Sequence, residues 1–387
     1  MKHLKKLLSY HEEGKEYLAL IEDDRLVRFE KKTESSKTRP ALGTILLGRI
    51  EKVLIPLQAA YVDIGLEESA FLPLDGKNLS DYPAGLELPV QIQKESDSYK
   101  KTAVTDNLTF QGQYVVLTSS NRRIGISKKL SDPEIRERLA DLAKRFPLYG
   151  KTGYILRTEC AKADSERILK EAEYLSDQYL ELVRKTPFAS VGNVLFEKDS
   201  FFADFILDEG ISTFDEILFD DKKRMNDALG ELKLHHLSLD ENRVRLFQDP
   251  RWDLAEVYHV QHQLTEAMIP QVFLQNQGYL FIEQTQALVS IDVNSGNLSG
   301  QKNKERAVTD ANLSAIPEIV RQIRLRNLSG IILIDFINMT KEENREQVLE
   351  QLRKEFQKDK RKVTVHGFTH LQLCEITREK MGRPLEV

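Results

Sequence analysis

The sequence predicts an α/β protein of several domains, with a small β-barrel near its N-terminus and a βαβ unit near its C-terminus. Three observations predict it. The chain has 387 residues, more than one ordinary core requires. Short β runs recur between residues 45 and 117, separated by turn residues at the spacing of a small barrel. Two long aliphatic runs, 287–294 and 330–337, flank a helical pattern, which reads as a parallel strand–helix–strand crossover.

The elements follow in chain order. Residues 1–41 read as a short α/β piece: Glu16–Ile21 and Arg25–Phe29 are strands around the turn Glu22-Asp23-Asp24, and 31–40 is a polar linker. Residues 42–119 read as the barrel, with runs at 45–53, 59–64, 88–92 and 114–117. In 120–215 the period changes: Ile168, Leu169, Ala172, Leu175, Tyr179, Leu182 and Val183 recur at helical spacing, with Asp164 or Ser165 as N-cap. Residues 216–277 mix strand and helix patterns, and 278–387 form the last α/β unit.

Composition narrows the function. The hydrophobic and charged fractions are those of a soluble globular protein. No run of about 18 apolar residues exists, so no membrane span is expected, and no apolar signal core follows the basic start. Cys160 and Cys374 lie far apart without CxxC spacing, so a reducing cytoplasm is expected and neither a disulfide framework nor a cysteine zinc site is. The net charge of −5 argues against coating nucleic acid by bulk charge. It leaves room for local basic patches and for metal-binding acids.

The chemistry concentrates in the two aliphatic strands. Each carries an aspartate where a hydrophobe is expected. Val289, Ile291 and Val293 share one face of the first, leaving Ser290, Asp292 and Asn294 on the other. Asp335 shares its face with Ile331, Leu333 and Ile337, where a carboxylate is costly unless paired or bound to a cation. Between the strands, Asn312, Ile316, Ile319, Val320 and Ile323 form a mixed apolar stripe, and Arg321, Arg324 and Arg326 supply charge. Parallel neighbours would bring both aspartates to the C-terminal ends of adjacent strands, where α/β sites form. Thr340-Lys341-Glu342-Glu343 reads as a capping box for the next helix. Two carboxylates with open coordination positions suit Mg²⁺.

Three stretches, 290–296 (SIDVNSG), 321–330 (RQIRLRNLSG) and 334–339 (IDFINM), resemble the most distinctive blocks of the ribonuclease E/G family in order and spacing. The resemblance covers almost the whole chain. It implies an RNase H-like subdomain split between 1–41 and 216–277, an inserted OB-fold RNA-binding barrel at 42–119, a 5′-sensor region at 120–215 and a DNase I-like catalytic subdomain at 278–387. It implies Asp292 and Asp335 as ligands of Mg²⁺, for which Mn²⁺ could substitute, and Asn294 as the residue that orients the phosphate or a ligand carboxylate. The reaction would be endonucleolytic hydrolysis of single-stranded RNA, rRNA precursors or mRNA, leaving 5′-phosphate and 3′-hydroxyl ends.

The same resemblance places Tyr61, Phe71 and Lys101 on RNA. Tyr61 replaces a phenylalanine, and stacking should survive the change. It makes Arg157 and Thr158 a grip for a terminal phosphate, with Gly112 and Val116 as backbone positions of that pocket. Lys128 and Lys129 stand where the family often has arginines, and Lys362 where it has an arginine near the sensor. Lysine keeps the charge without the fork, so a weakened preference for 5′-monophosphate is expected. The sequence ends without the family's zinc-sharing cysteine pair, so no zinc is expected and any homo-oligomer would lack a zinc link.

Other motifs carry less. Tyr149-Gly150-Lys151-Thr152 lacks the earlier glycine of a P-loop. His259 with His262, and His366 with His370, fit no zinc signature. The alternative to an active nuclease is a non-catalytic RNA-binding or ribosome-associated protein on the same fold; retention of Asp292, Asn294 and Asp335 favours the enzyme.

Overall fold

Four β-sheets organise the residues described by the computed structural model, which are 4–32, 40–94, 101–197, 200–275, 278–296, 304–380 and 385. The chain divides into two units, 1–32 with 214–225 and 241–387, and 33–213 with 226–240.

The first unit opens with two hairpins. Lys5–Glu12 pairs antiparallel with Lys15–Glu22, which pairs with Arg25–Lys31. Positive φ at Glu13 and Gly14, and again at Asp23 and Asp24, gives both turns the twist that tight hairpins need. The strand Lys5–Glu12 was not foreseen in the basic start. It lies in the middle of the sheet, because Glu216–Phe219 adds to it in parallel and Val244–Leu246 adds to that. Segments more than two hundred residues apart, with Lys6 opposite Glu216, thus complete one sheet.

The second sheet of this unit runs in the order Gln271–Phe273, Tyr279–Gln284, Leu288–Asn294, Gly330–Asp335, Leu373–Arg378, Val363–Phe368. It begins at Gln271, earlier than the expected boundary at 278. Only Leu288–Asn294 and Gly330–Asp335 pair in parallel, joined through the helix Lys304–Leu325 as the crossover predicts. This helix and Glu342–Glu355 pack on one face: Ile316, Ile319, Val320, Val348 and Leu352 close over Val289, Ile291, Val293, Ile332 and Ile334.

The second unit contains a closed barrel. Ile45–Leu54 pairs with Ala59–Asp63, then Ala70–Pro73, Ala103–Thr105 and Glu87–Lys94, which returns to Ile45–Leu54. Five strands closed this way are consistent with an OB-fold. Gly48 lets the barrel close: a Cβ there would lie 2.6 Å from Val62 Cγ1 and 3.0 Å from Val90 Cγ2. The run at 114–117 does not belong to the barrel. Val115–Thr118 joins a separate sheet in the order Ile124–Ile126, Gly153–Leu156, Val115–Thr118, Thr109–Gln111. The barrel therefore ends near Thr105, before the expected boundary at 119. The helix Ser165–Lys185, with Asp164 at its N-cap, lays Ile168, Ala172 and Leu175 on the core of that second sheet.

Gly65 has φ +76°, and a Cβ there would sit 2.7 Å from Gly192 Cα. Gly65→Ala should lower the midpoint of thermal unfolding, the left-handed backbone alone costing about 1–2 kcal/mol. Gly85→Ala, at φ +87° with nothing within 4 Å, should lose only that backbone share. Circular dichroism melts of the two variants check the difference; equal losses would discount the glycine–glycine contact.

Candidate active site

Backbone register sets two carboxylates side by side. In the parallel pair, Asp292 and Asp335 are direct Cα partners, on strands about 4.8 Å apart. Both are exposed on the face opposite the helices. Asn294, the next residue on that face, donates from Nδ2 to Asp292 Oδ2 at 2.7 Å. Partial burial, then the neighbouring Asp292 carboxylate, hold the Asp335 carboxyl above its ordinary range. The face that Asp335 shares is not the costly apolar one expected: Ile331 is exposed and Leu333 half-buried, because both helices cover the other face. Like charge in register, together with the partial burial of Asp335, is what favours a cation. Among the described residues no group of three or more His, Cys, Asp or Glu could hold a metal. A cation at this pair would complete its shell with water and substrate oxygens, as Mg²⁺ commonly does.

The segment after Asp335 is held by the crossover helix. Asn312, fully buried, donates from Nδ2 to the Ile337 carbonyl at 2.8 Å and accepts from the Ile337 N–H at 3.0 Å. Two turns earlier, Glu305 accepts from the N–H groups of Thr340 and Lys341, from Thr340 Oγ1 and from Asn344 Nδ2. The expected capping box is therefore not formed. The N-cap is Lys341, without a side-chain cap, because Thr340 is turned to Glu305. A carboxylate from another helix takes the N–H of the N-cap Lys341 and of Thr340 just before it.

In the barrel, Tyr61 and Phe71 are cross-strand partners with ring centroids 6.3 Å apart, edge to face. Both are half-buried while their strand neighbours Ala60, Val62, Ala70 and Leu72 fill the core. Lys101 Nζ lies 5.0 Å from the centroid of the Tyr61 ring. The three residues that the sequence assigned to RNA form one outward cluster.

Of the residues expected to form a 5′ sensor, Gly112, Val116, Lys128, Lys129, Arg157 and Thr158 lie on or beside the four-stranded sheet. Arg157 N–H donates to the Tyr114 carbonyl at 2.7 Å, Gly112 N–H to Val115 at 2.9 Å, and Ser127 N–H to Leu156 at 2.9 Å. Val116 lies one step further in, opposite Ile155. Thr158, Lys128 and Lys129 are exposed. Arg157 departs from expectation. Its Nη1 donates to the Gly112 carbonyl at 2.7 Å and its Nη2 to the Leu207 carbonyl at 2.6 Å. Both terminal nitrogens are engaged by backbone, so a free fork for phosphate is not what the structure presents. Lys362 belongs to the other unit and is exposed there. Behind the pocket, buried Glu171 accepts the N–H groups of Gln113, Tyr114 and Val115 at 2.7, 2.7 and 2.9 Å. A Cβ on Gly112 would fall 2.5 Å from its carboxyl carbon, so that glycine permits the contact.

The sequence model of the Ribonuclease E/G family matches residues 109–381. The chain is 31% identical to Ribonuclease G of Haemophilus influenzae over 95% of its length and 78% of that protein. It is 28% identical to Ribonuclease G of Escherichia coli K12, over 91% of the chain and 76% of that protein. Ribonuclease E of Synechocystis is 31% identical over 89% of the chain, a stretch spanning 53% of that protein. The chain belongs to the ribonuclease E/G family. It is an endoribonuclease of that family.

The family block 321–330 proves to be architectural. Arg321 is buried, ion-paired to Glu318 at 2.7 Å and bonded to the Leu26 carbonyl at 2.8 Å; Arg25 reaches the same Glu318 at 2.5 Å. Arg324 grips Glu22 through both oxygens, and Arg326 donates to Gln322 and the Ile269 carbonyl. Arg321 and Arg324 fasten the crossover helix to the N-terminal strands, and Arg326 ties its C-terminal end to Ile269. Glu305 and Glu171 were missed as functional positions; Glu171 stands out in the sequence only as an acid between Ile168, Ala172 and Leu175 on an apolar face. Asn312 did leave a signal, as the one polar member of an apolar stripe. Of the remaining motifs, Gly150-Lys151-Thr152 precedes a strand, Gly153–Leu156, and not the helix a P-loop requires. His262 pairs with Glu266 at 3.4 Å and His366 with Thr377 at 2.9 Å.

Glu305 yields a pH signature. Its hydrogen bonds from Thr340, Lys341 and Asn344 hold its pKa at about 2, below the ordinary value of about 4.3. A depressed carboxylate contributes stability above its unfolded pKa and loses it as pH falls through the folded one. The wild type should therefore exceed Glu305→Gln in unfolding midpoint by a constant margin above about pH 5, and the margin should shrink as pH falls toward about 2. Melts of both proteins across that range check it; a margin independent of pH would mean the carboxylate charge is not what holds the loop.

Proposed function

We propose that this endoribonuclease is a Mg²⁺-dependent hydrolase of single-stranded RNA, leaving 5′-phosphate and 3′-hydroxyl ends. Its setting would be rRNA processing or mRNA decay in the cytoplasm. The observation that carries the reading is the carboxylate pair, Asp292 and Asp335, in register on an open sheet face. Among the described residues no helix is long and apolar enough to cross a membrane, and both cysteines are free thiols, which fits that compartment.

A bound divalent cation would polarise the scissile phosphate and lower the pKa of an attacking water. The protein's own part is to hold donors and substrate. Asp292 and Asp335 offer hard oxygens from adjacent strands, and the Asn294 amide fixes the rotation of Asp292 through Oδ2. Asn312 and Glu305 fix the backbone that leaves Asp335. Tyr61 and Phe71 offer ring faces to bases in any sequence, at about 1–3 kcal/mol per base, with Lys101 beside them for the backbone charge. At the sensor, Thr158 and Lys128 would meet a terminal phosphate, and Arg157, anchored by two carbonyls, would add its remaining N–H groups. That sharing, with lysines in place of arginines, supports a modest preference for 5′-monophosphate.

An AU-rich single-stranded RNA carrying 5′-monophosphate, 5′-triphosphate or 5′-hydroxyl tests this. Internal cutting should require Mg²⁺ or Mn²⁺, stop in EDTA, and run fastest on the monophosphate, by a few-fold. Asp292→Asn and Asp335→Asn should abolish cutting while RNA still binds. Wild-type cutting in EDTA, or full activity in both variants, would overturn the assignment.

A further inference from the structure

The open face of the last sheet carries more than its carboxylates. Register aligns one row of residues across five strands: Gln271, Phe281, Asp292, Asp335, Leu373. The neighbouring row is Phe273, Tyr279, Asn294. Residues directly opposite in a sheet share a face, so Phe281, Tyr279 and Phe273 stand on the face of Asp292 and Asn294. Phe281 is 39% exposed and Phe273 75% exposed. Among the described residues the hydrophobic cluster beneath this sheet does not include them: it takes Leu280, Ile282 and Val272 from the same strands, on the opposite face.

The face is asymmetric about the carboxylates. On the Asp292 side the next strand presents aromatic rings. On the Asp335 side it presents aliphatic Leu373, then Glu375 beyond. Aromatic faces hold bases by stacking, and aliphatic side chains do so poorly. The phosphate of a scissile linkage would lie over the strand pair, and Phe281 is one strand away from Asp292. From the midpoint of the pair that is roughly one and a half strand spacings, about 7 Å, which is the reach of a nucleotide from its phosphate to its base.

We propose that Phe281, with Phe273 and Tyr279 behind it, is the stacking site for the nucleobase that flanks the scissile phosphate on the Asp292 side. The site would fix the direction in which single-stranded RNA crosses the catalytic face, because a base can stack on one flank only. It would be tolerant of base identity and intolerant of a missing base. The proposal rests on Asp292 and Asp335 being the cleavage centre. It adds a substrate subsite to that centre, separate from the aromatic cluster of the barrel.

The test is cleavage of a short RNA with one mapped cut site, beside two copies in which the nucleotide 5′ or 3′ of the cut is abasic. Phe281→Ala should lower kcat/KM on the intact RNA about tenfold, leave the thermal midpoint unchanged and leave cutting of one abasic substrate unchanged. Phe281→Trp should restore activity on intact RNA, and Phe281→Leu should not. Rescue by leucine, or an equal loss on intact and both abasic substrates, would overturn stacking. So would a fall in particle mass by light scattering in Phe281→Ala, which would make the face a contact with a second copy of the chain. If Phe281→Ala has no effect in an enzyme that cuts RNA with Mg²⁺, only the subsite fails. If the wild type does not cut RNA with Mg²⁺, the cleavage-centre reading fails and the subsite with it.

Discussion

Two carboxylates fixed on neighbouring strands repel each other, and the backbone gives them no freedom to separate. Asp292 and Asp335 are bound by parallel register; moving either away would mean breaking the ladder that also aligns Ile291 with Ile334 in the core. Each remaining feature of the unit can be read as a consequence of holding that pair. The buried face supplies rigidity, with two helices packed over alternate residues of the same strands. The open face supplies access. Asn294 steadies one carboxylate, and the Asn312 and Glu305 contacts steady the chain that leaves the other. Arg321 and Arg324 fasten the helix that carries those contacts to the N-terminal sheet.

The parts proposed to face RNA obey a different constraint, which is to present polar and aromatic groups without losing them to the fold. The barrel manages this by alternation: Ala60, Val62, Ala70 and Leu72 point inward, so Tyr61 and Phe71 must point outward. The proposed sensor manages it less fully. Arg157 lies among the carboxylates of Asp208, Glu159 and Glu171 and donates to two carbonyls, which holds it firmly in place and leaves fewer of its N–H groups for a ligand. Recognition there would lean on Thr158 and the two exposed lysines as much as on the arginine.

Much of this was legible in the sequence because period-two alternation and crossover length are local signals. They identified the two aspartate strands and the helix between them; Tyr61 and Phe71 were singled out by the family resemblance, since an aromatic in a barrel strand taken alone reads as core. What escaped depends on contacts between distant segments. The strand Lys5–Glu12 is short and basic, and only its partner at 216–219 shows it to be central. The apparent capping box read correctly as a helix start, but Glu305, thirty-five residues earlier, accepts the Thr340 N–H that the glutamate of the box would have taken. The run at 114–117 looked like one more barrel strand, since strand pattern cannot say which sheet a strand joins. Asp335 was placed on a buried face because aliphatic neighbours do not reveal which face the helices cover.

The account turns on whether the registered pair binds a divalent cation. Electron paramagnetic resonance of Mn²⁺ titrated into the full chain, without RNA, measures this directly. The account predicts one Mn²⁺ site per chain, displaced by excess Mg²⁺ and lost in both Asp292→Asn and Asp335→Asn. A site that survives either substitution, or none at all in the wild type with or without a non-cleavable RNA, would contradict it.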